Sequence, residues 1–221
     1  MDLFHFVTGC DSKADVTFLL DSSDNVGKEN FKKQLNFVKD VTNNFQVGAS
    51  KVQVSAVTYG TGATNQFYLN QYRDKIALQN AIDSIQFKGG QNKMANAIRY
   101  ATGRSFSPTN GGRADAPHVT VLLTNEPSGT IDMTKLESQT ARDNGLILYT
   151  VGIGGAVDPA ELMAIASNPD SRHMFTAQNF DALDSLSALL ANKICNGKEL
   201  QSTLDNSNSD NSNSANFEAF F

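Results

Sequence analysis

The fold is most plainly written in Val16-Thr17-Phe18-Leu19-Leu20-Asp21-Ser22-Ser23-Asp24-Asn25. A short β-branched and aromatic apolar run ends abruptly in a carboxylate and two hydroxyls. Such a run reads as a strand buried on both faces. The polar cluster behind it then lies where the chain leaves the sheet. In an open α/β sheet, the carboxyl end of the strands is where ligands bind.

Working outward, strands and helices alternate. Phe31, Leu35, Val38, Val41 and Phe45 recur at helical spacing, and Lys51 to Tyr59 alternates as a strand. Gly60-Thr61-Gly62-Ala63 is a turn, and Gln66 to Leu69 follows so closely that it reads as an antiparallel hairpin strand. Arg73 to Ile85 and Lys93 to Thr102 read as helices separated by the loop Lys88-Gly89-Gly90-Gln91-Asn92. Val119 to Leu123 and Leu146 to Val151 are two more buried-type strands. Asp132 is positioned to cap the helix between them, with Asn144-Gly145 as its stop. Asp158-Pro159-Ala160-Glu161 places an N-cap, a proline at N1 and a Glu at N3. Met174 to Thr176 reads as a short edge strand, and Phe180, Leu183, Leu186, Leu190 and Ile194 line a last helix. The pattern predicts an α/β fold: a doubly wound, mostly parallel sheet with one antiparallel edge strand and helices on both faces.

The 221 residues include 40% hydrophobic side chains, sufficient for a sizeable core. Eighteen Lys and Arg against 23 Asp and Glu give a net charge of -5 without a basic stripe, which argues against nucleic-acid binding. No apolar run approaches the roughly 18 residues that cross a bilayer. Residues 1–13 form a leader lacking a basic n-region, so they do not read as a signal peptide. The patterned domain is 14–195. Residues 196–221 are a low-complexity tail, with Asn206 to Ser214 alternating between amide, hydroxyl and carboxylate side chains, and they read as disordered or a linker.

Cys10 and Cys195 are the only two cysteines and flank the patterned region. They are either unrelated buried thiols or one disulfide closing the domain. The chain-entropy model assigns such a long loop about 5 kcal/mol, and a disulfide would imply secretion. An enzyme is disfavoured. His5, His118 and His173 lack a visible Ser or Cys partner arrangement, and neither C-x-x-C nor a phosphate-binding G-x-x-x-x-G-K-[ST] loop occurs. Gly152-Ile153-Gly154-Gly155 follows the third buried strand and leads into an ordinary helix start.

Three loops at or near strand ends are dominated by side-chain oxygens: Asp21 to Asn25, Gly90-Gln91-Asn92 and Thr124-Asn125-Glu126. Oxygen donors suit a hard divalent cation, although any one of these residues alone is better explained as a loop or helix cap. With these pieces the sequence resembles a von Willebrand factor A domain of the extracellular type found in matrilins, collagen VI and related matrix proteins; a molluscan or other invertebrate structural matrix protein is a second candidate for the particular relative. The resemblance covers about Ala14 to Cys195. It rests on Asp15 to Ser23 as first strand and metal loop, Val52 to Gly60 as second strand, and Gly89-Gly90 with Ala97-Ile98 around the second loop. Val119 to Thr124 and Gly145 to Gly154 match the later strands.

The resemblance implies a metal-ion-dependent adhesion site, D-x-S-x-S with a Thr and a later Asp. Asp21 and Ser23 match that pattern; Asn25, Asn92 and Asn125 stand where Ser, Thr and Asp belong. It further implies Mg²⁺ or Ca²⁺ touching Ser23 and reaching Asp21, with a partner's carboxylate completing the shell. An amide oxygen still coordinates a hard cation, but one carboxylate is lost and the site is weakened. Asp24 and Glu126 could restore charge, though neither occupies a matching position. By the same resemblance, Cys10 and Cys195 form the disulfide that closes the termini, and the chain is secreted into extracellular matrix. Its implied function is adhesion or scaffolding, binding a structural protein such as collagen, with further A domains in a longer chain. The alternative is a metal-independent structural or cytosolic interaction domain.

Overall fold

The computed structural model describes residues 12–196. Six strands form one sheet: β1 (Ala14–Asp21), β2 (Val52–Tyr59), β3 (Ala63–Phe67), β4 (His118–Thr124), β5 (Leu146–Ile153) and β6 (Met174–Ala177), in the order β3-β2-β1-β4-β5-β6. All pairs are parallel except β2 with β3. This is the expected architecture. The hairpin strand begins earlier than the sequence pattern indicates, because Ala63 already pairs with Tyr59.

The strand period of two divides the core between the faces. Val16, Phe18 and Leu20 of β1 pack with Phe31, Leu35 and Val38 of α1 (Gly27–Asn43) and with Leu78 and Ile82 of α2 (Lys75–Asp83). Leu190 and Ile194 of the last helix, residues 184–196, close the same layer. On the other face, Leu19, Val57 and Leu122 meet Met94, Ala97 and Ile98 of α3 (Met94–Tyr100). Ala141 of α4 (Ile131–Asp143) and Ile165 of α5 (Pro159–Ile165) complete that layer. Strands buried on both sides explain why β1 reads as a continuous apolar run.

Two local expectations are corrected. Asp132 lies in the first turn of α4, whereas the N-cap is Thr130, which makes no side-chain cap bond. Asp158 does cap α5, accepting from the Ala160 amide at 2.9 Å. Glu161, however, does not reach back to complete a capping box. It is buried and accepts from the amide of Ser128 at 2.9 Å and from the Ser128 hydroxyl, so it braces the loop after β4.

The strand order places a topological switch between β1 and β4. From β1 the chain leaves toward β2; from β4 it leaves toward β5. The parallel register, Leu19 opposite Leu122, sets the Asp21 loop beside the Thr124 loop at the crevice such a switch opens.

Candidate functional site

Asp21 ends β1 with no exposed surface. Its Oδ1 accepts from the Ser23 amide at 2.8 Å and its Oδ2 from Asn92 Nδ2 at 3.3 Å. Gln34 of α1 donates Nε2 to the Asp21 carbonyl at 2.9 Å, tying the strand end to the first helix. Among the described residues no Lys or Arg pairs with this carboxylate. Burial pushes its pKa up from the ordinary 3.8 to about 6; the hydrogen bond from the Ser23 amide opposes the rise and the charge of Glu126 adds to it.

Backbone contacts align the three loops. The Ser22 amide donates to the Tyr59 carbonyl at 2.7 Å, and the Ser22 hydroxyl accepts from the Lys88 amide at 2.9 Å. Asp24 and Gly90 bond reciprocally: the Asp24 amide donates to the Gly90 carbonyl at 2.9 Å, and the Gly90 amide donates to Asp24 Oδ1 at 3.0 Å. Gly60 and Gly90 are needed for this approach. A Cβ on Gly60 would sit 2.6 Å from the Gly89 carbonyl oxygen; one on Gly90, at φ +107°, would sit 2.5 Å from Thr61 Oγ1. Behind them the buried Tyr59 hydroxyl donates to the Leu123 carbonyl at 2.7 Å, linking β2 to β4 beneath the loops.

The structure brings Asp21, Ser23, Asn25, Asn92 and Asn125 together from the three loops. The Asn92 amide nitrogen goes to the Asp21 carboxylate and the Asn125 nitrogen to the Asn25 carbonyl at 3.3 Å. Both partners are acceptors only, so they fix which end of each amide is nitrogen. The opposite ends, Asn92 Oδ1 and Asn125 Oδ1, are buried without a hydrogen-bond partner, as is Ser23 Oγ. Buried oxygens are mostly paired, and unpaired ones on Ser23 and Asn92, both bonded to the Asp21 carboxylate through their nitrogens, and on Asn125 in the facing loop suit a cation that accepts oxygen donors. The group fits a hard divalent ion on chemistry, although among the described residues no cluster of three His, Cys, Asp or Glu exists.

Asn25 behaves differently from the other two amides. Its side chain is exposed and donates Nδ2 to the Glu126 carboxylate. Asp24, one of the carboxylates that could restore charge, is committed to the Gly90 amide, so it holds the loop instead. Sequence reasoning missed the Gln34 and Tyr59 contacts; no spacing within the loops points to them. Cys195 is disulfide-bonded at the end of the last helix, while Cys10 lies outside the described residues.

A doubly wound sheet carrying oxygen-lined loops at its switch point defines an α/β fold with a polar crevice at its strand ends. A profile of the von Willebrand factor type A domain matches residues 15–189, and the chain belongs to that family. The collagen alpha-1(XII) chain of Notophthalmus viridescens is 32% identical over 185 residues, 84% of this chain and 20% of that one. Matrilin-1 of Gallus gallus is 30% identical over 187 residues, 85% of this chain and 37% of that one. These relatives place the chain with the extracellular-matrix members of the family, as its sequence pattern suggests. A structure of proximal thread matrix protein 1 from the mussel byssus superimposes with a TM-score of 0.78 at 26% identity, covering 85% of this chain and 49% of that one. A second structure of that protein, described as having a zinc-occupied MIDAS motif, gives 0.79 at 25% identity. The chain therefore spans about a fifth to a little over a third of the two curated relatives, and about half of the byssal protein.

Proposed function

We propose that this chain is an extracellular-matrix adhesion or scaffolding module that engages a structural protein such as collagen through a divalent cation at the β1–β4 switch point. The observation that carries this reading is the set of unpaired buried oxygens on Ser23, Asn92 and Asn125 around the Asp21 carboxylate. Asp21 supplies the formal charge, Ser23 Oγ and the two amide oxygens supply neutral donors, and Mg²⁺ or Ca²⁺ is the fitting ion. Bound there, the ion offers a positive centre to an acidic group of the partner.

Three amides in place of Ser, Thr and Asp leave one carboxylate in the expected ligand set, so affinity for the metal is lower than a two-carboxylate site provides. No catalytic role is assigned. The Cys195 disulfide supports an oxidising, secreted setting with Cys10 as its partner. Fibrillar collagen pull-down with Mg²⁺, with chelator, and with Asp21→Ala tests the reading. Capture only by the unaltered protein with Mg²⁺ supports it. Capture indifferent to both chelator and substitution places the binding surface elsewhere and favours the metal-independent alternative.

A further inference from the structure

Glu126 belongs to none of the positions the adhesion-site pattern names, yet it is built into the site. It follows Asn125 in the loop after β4. Thr124 Oγ1 donates to its carbonyl at 2.8 Å and accepts from its amide at 3.4 Å, fixing the backbone. Its carboxylate accepts from Asn25 Nδ2, 101 residues away in sequence, so the contact joins the first and third loops directly. Among the described residues no Lys, Arg or His forms an ion pair with Glu126.

We propose that Glu126 is a sixth residue of the cation site, supplying the negative charge that Asn125 lacks, and that Asn25 is its holder. This rests on the reading of the three loops as a divalent-cation site. Asn25 meets Glu126 through its side chain and Asn125 through its carbonyl, so the Glu126 carboxylate lies on the loops that also carry Asp21, and among the described residues no cationic side chain pairs with either carboxylate. That arrangement is unfavourable in the free protein and is relieved by a divalent ion. Asn25 explains the position. A serine there would be too short to hold the carboxylate from across the crevice, whereas the amide donates to it and is itself removed from the ligand set. The altered residues are thus coupled: one amide replaces the expected Asp, a second replaces the expected Ser, and the second positions the carboxylate that replaces the lost charge.

The probe is Mg²⁺ or Mn²⁺ alone, titrated calorimetrically into the purified chain, with melting temperature recorded in chelator. Glu126→Gln is expected to weaken the cation at least tenfold and to raise the melting temperature of the metal-free protein, because the repulsion on Asp21 is removed. Asn25→Ala, which frees the Glu126 carboxylate, is expected to weaken the cation in the otherwise unaltered chain and to cause no further loss when combined with Glu126→Gln. Cation affinity unchanged in Glu126→Gln, with binding lost in Asp21→Ala, overturns the role of Glu126 and leaves the site standing. A further loss of affinity when Asn25→Ala is added to Glu126→Gln makes Asn25 a ligand in its own right and overturns the holder. Absence of binding by the unaltered chain, or binding undiminished in Asp21→Ala, overturns the site and Glu126 together.

Discussion

Asp15 and Asp21 lie on the same strand, six positions apart, and neither has exposed surface. Their surroundings are opposite. At the amino end of β1, Asp15 meets Arg113: Nη2 lies 2.6 Å and Nε 2.8 Å from Oδ1, and the Arg113 amide donates to Oδ2 at 2.7 Å. Gln53 Nε2 adds a bond at 3.2 Å. The guanidinium spends its remaining donors on the carbonyls of Ala14, Ala49 and Lys51. At the carboxyl end, Asp21 has an amide nitrogen and a backbone amide but, among the described residues, no cationic side chain, and the oxygens of its neighbours Ser23 and Asn92 find no partner there. One end is a closed structural network. The other is an open one, which is what the proposed cation would complete.

The largest expected effect lies at the closed end. Arg113→Ala leaves Asp15 buried and uncompensated, and should cost about 3–5 kcal/mol of unfolding free energy, measured by urea denaturation. A loss below about 1 kcal/mol would mean that Asp15 is not held chiefly by Arg113.

At the open end the sign reverses. A carboxyl whose folded pKa is raised from 3.8 to about 6 takes up protons more readily in the native state, so its contribution is fully present below about pH 4 and is lost as pH rises through 6. At neutral pH the ionised group therefore costs on the order of 3 kcal/mol. In chelator, Asp21→Asn should stabilise the protein at pH 7 by about 1–3 kcal/mol, with the difference shrinking toward zero below pH 4. A destabilised variant at pH 7 would contradict the open-network reading. The two substitutions together contrast a carboxylate the fold needs with one it tolerates.

Asn125→Asp sharpens the comparison from the other side. A returned carboxylate should tighten Mg²⁺ about tenfold, equivalent to about 1.4 kcal/mol, while lowering the melting temperature in chelator by a few degrees. Unchanged affinity would show that position 125 does not face the ion.

Much of this was legible in the sequence. β1, β4 and β5 are buried on both faces, so they appear as apolar runs that end in polar clusters. The chain order of those clusters sufficed to put the site at the strand ends. Asp21 and Ser23 are separated by a local spacing that the loop itself enforces. What the sequence withheld depends on long-range pairing. Arg113 finds Asp15 across 98 residues and Glu161 finds Ser128 across 33. A Glu at N3 looks like a capping residue until the neighbouring loop arrives. Likewise nothing local distinguishes Asn25, whose amide turns outward to Glu126, from Asn92 and Asn125, whose oxygens stay buried. The difference is set by which acceptors the opposite loop presents.

The most direct test of the central claim is a crystal of the chain soaked in Mn²⁺, with anomalous differences recorded near the manganese edge. One peak is expected, bounded by Ser23 Oγ, Asn92 Oδ1 and Asn125 Oδ1, beside the Asp21 carboxylate. No peak there while manganese is ordered elsewhere on the chain would contradict it.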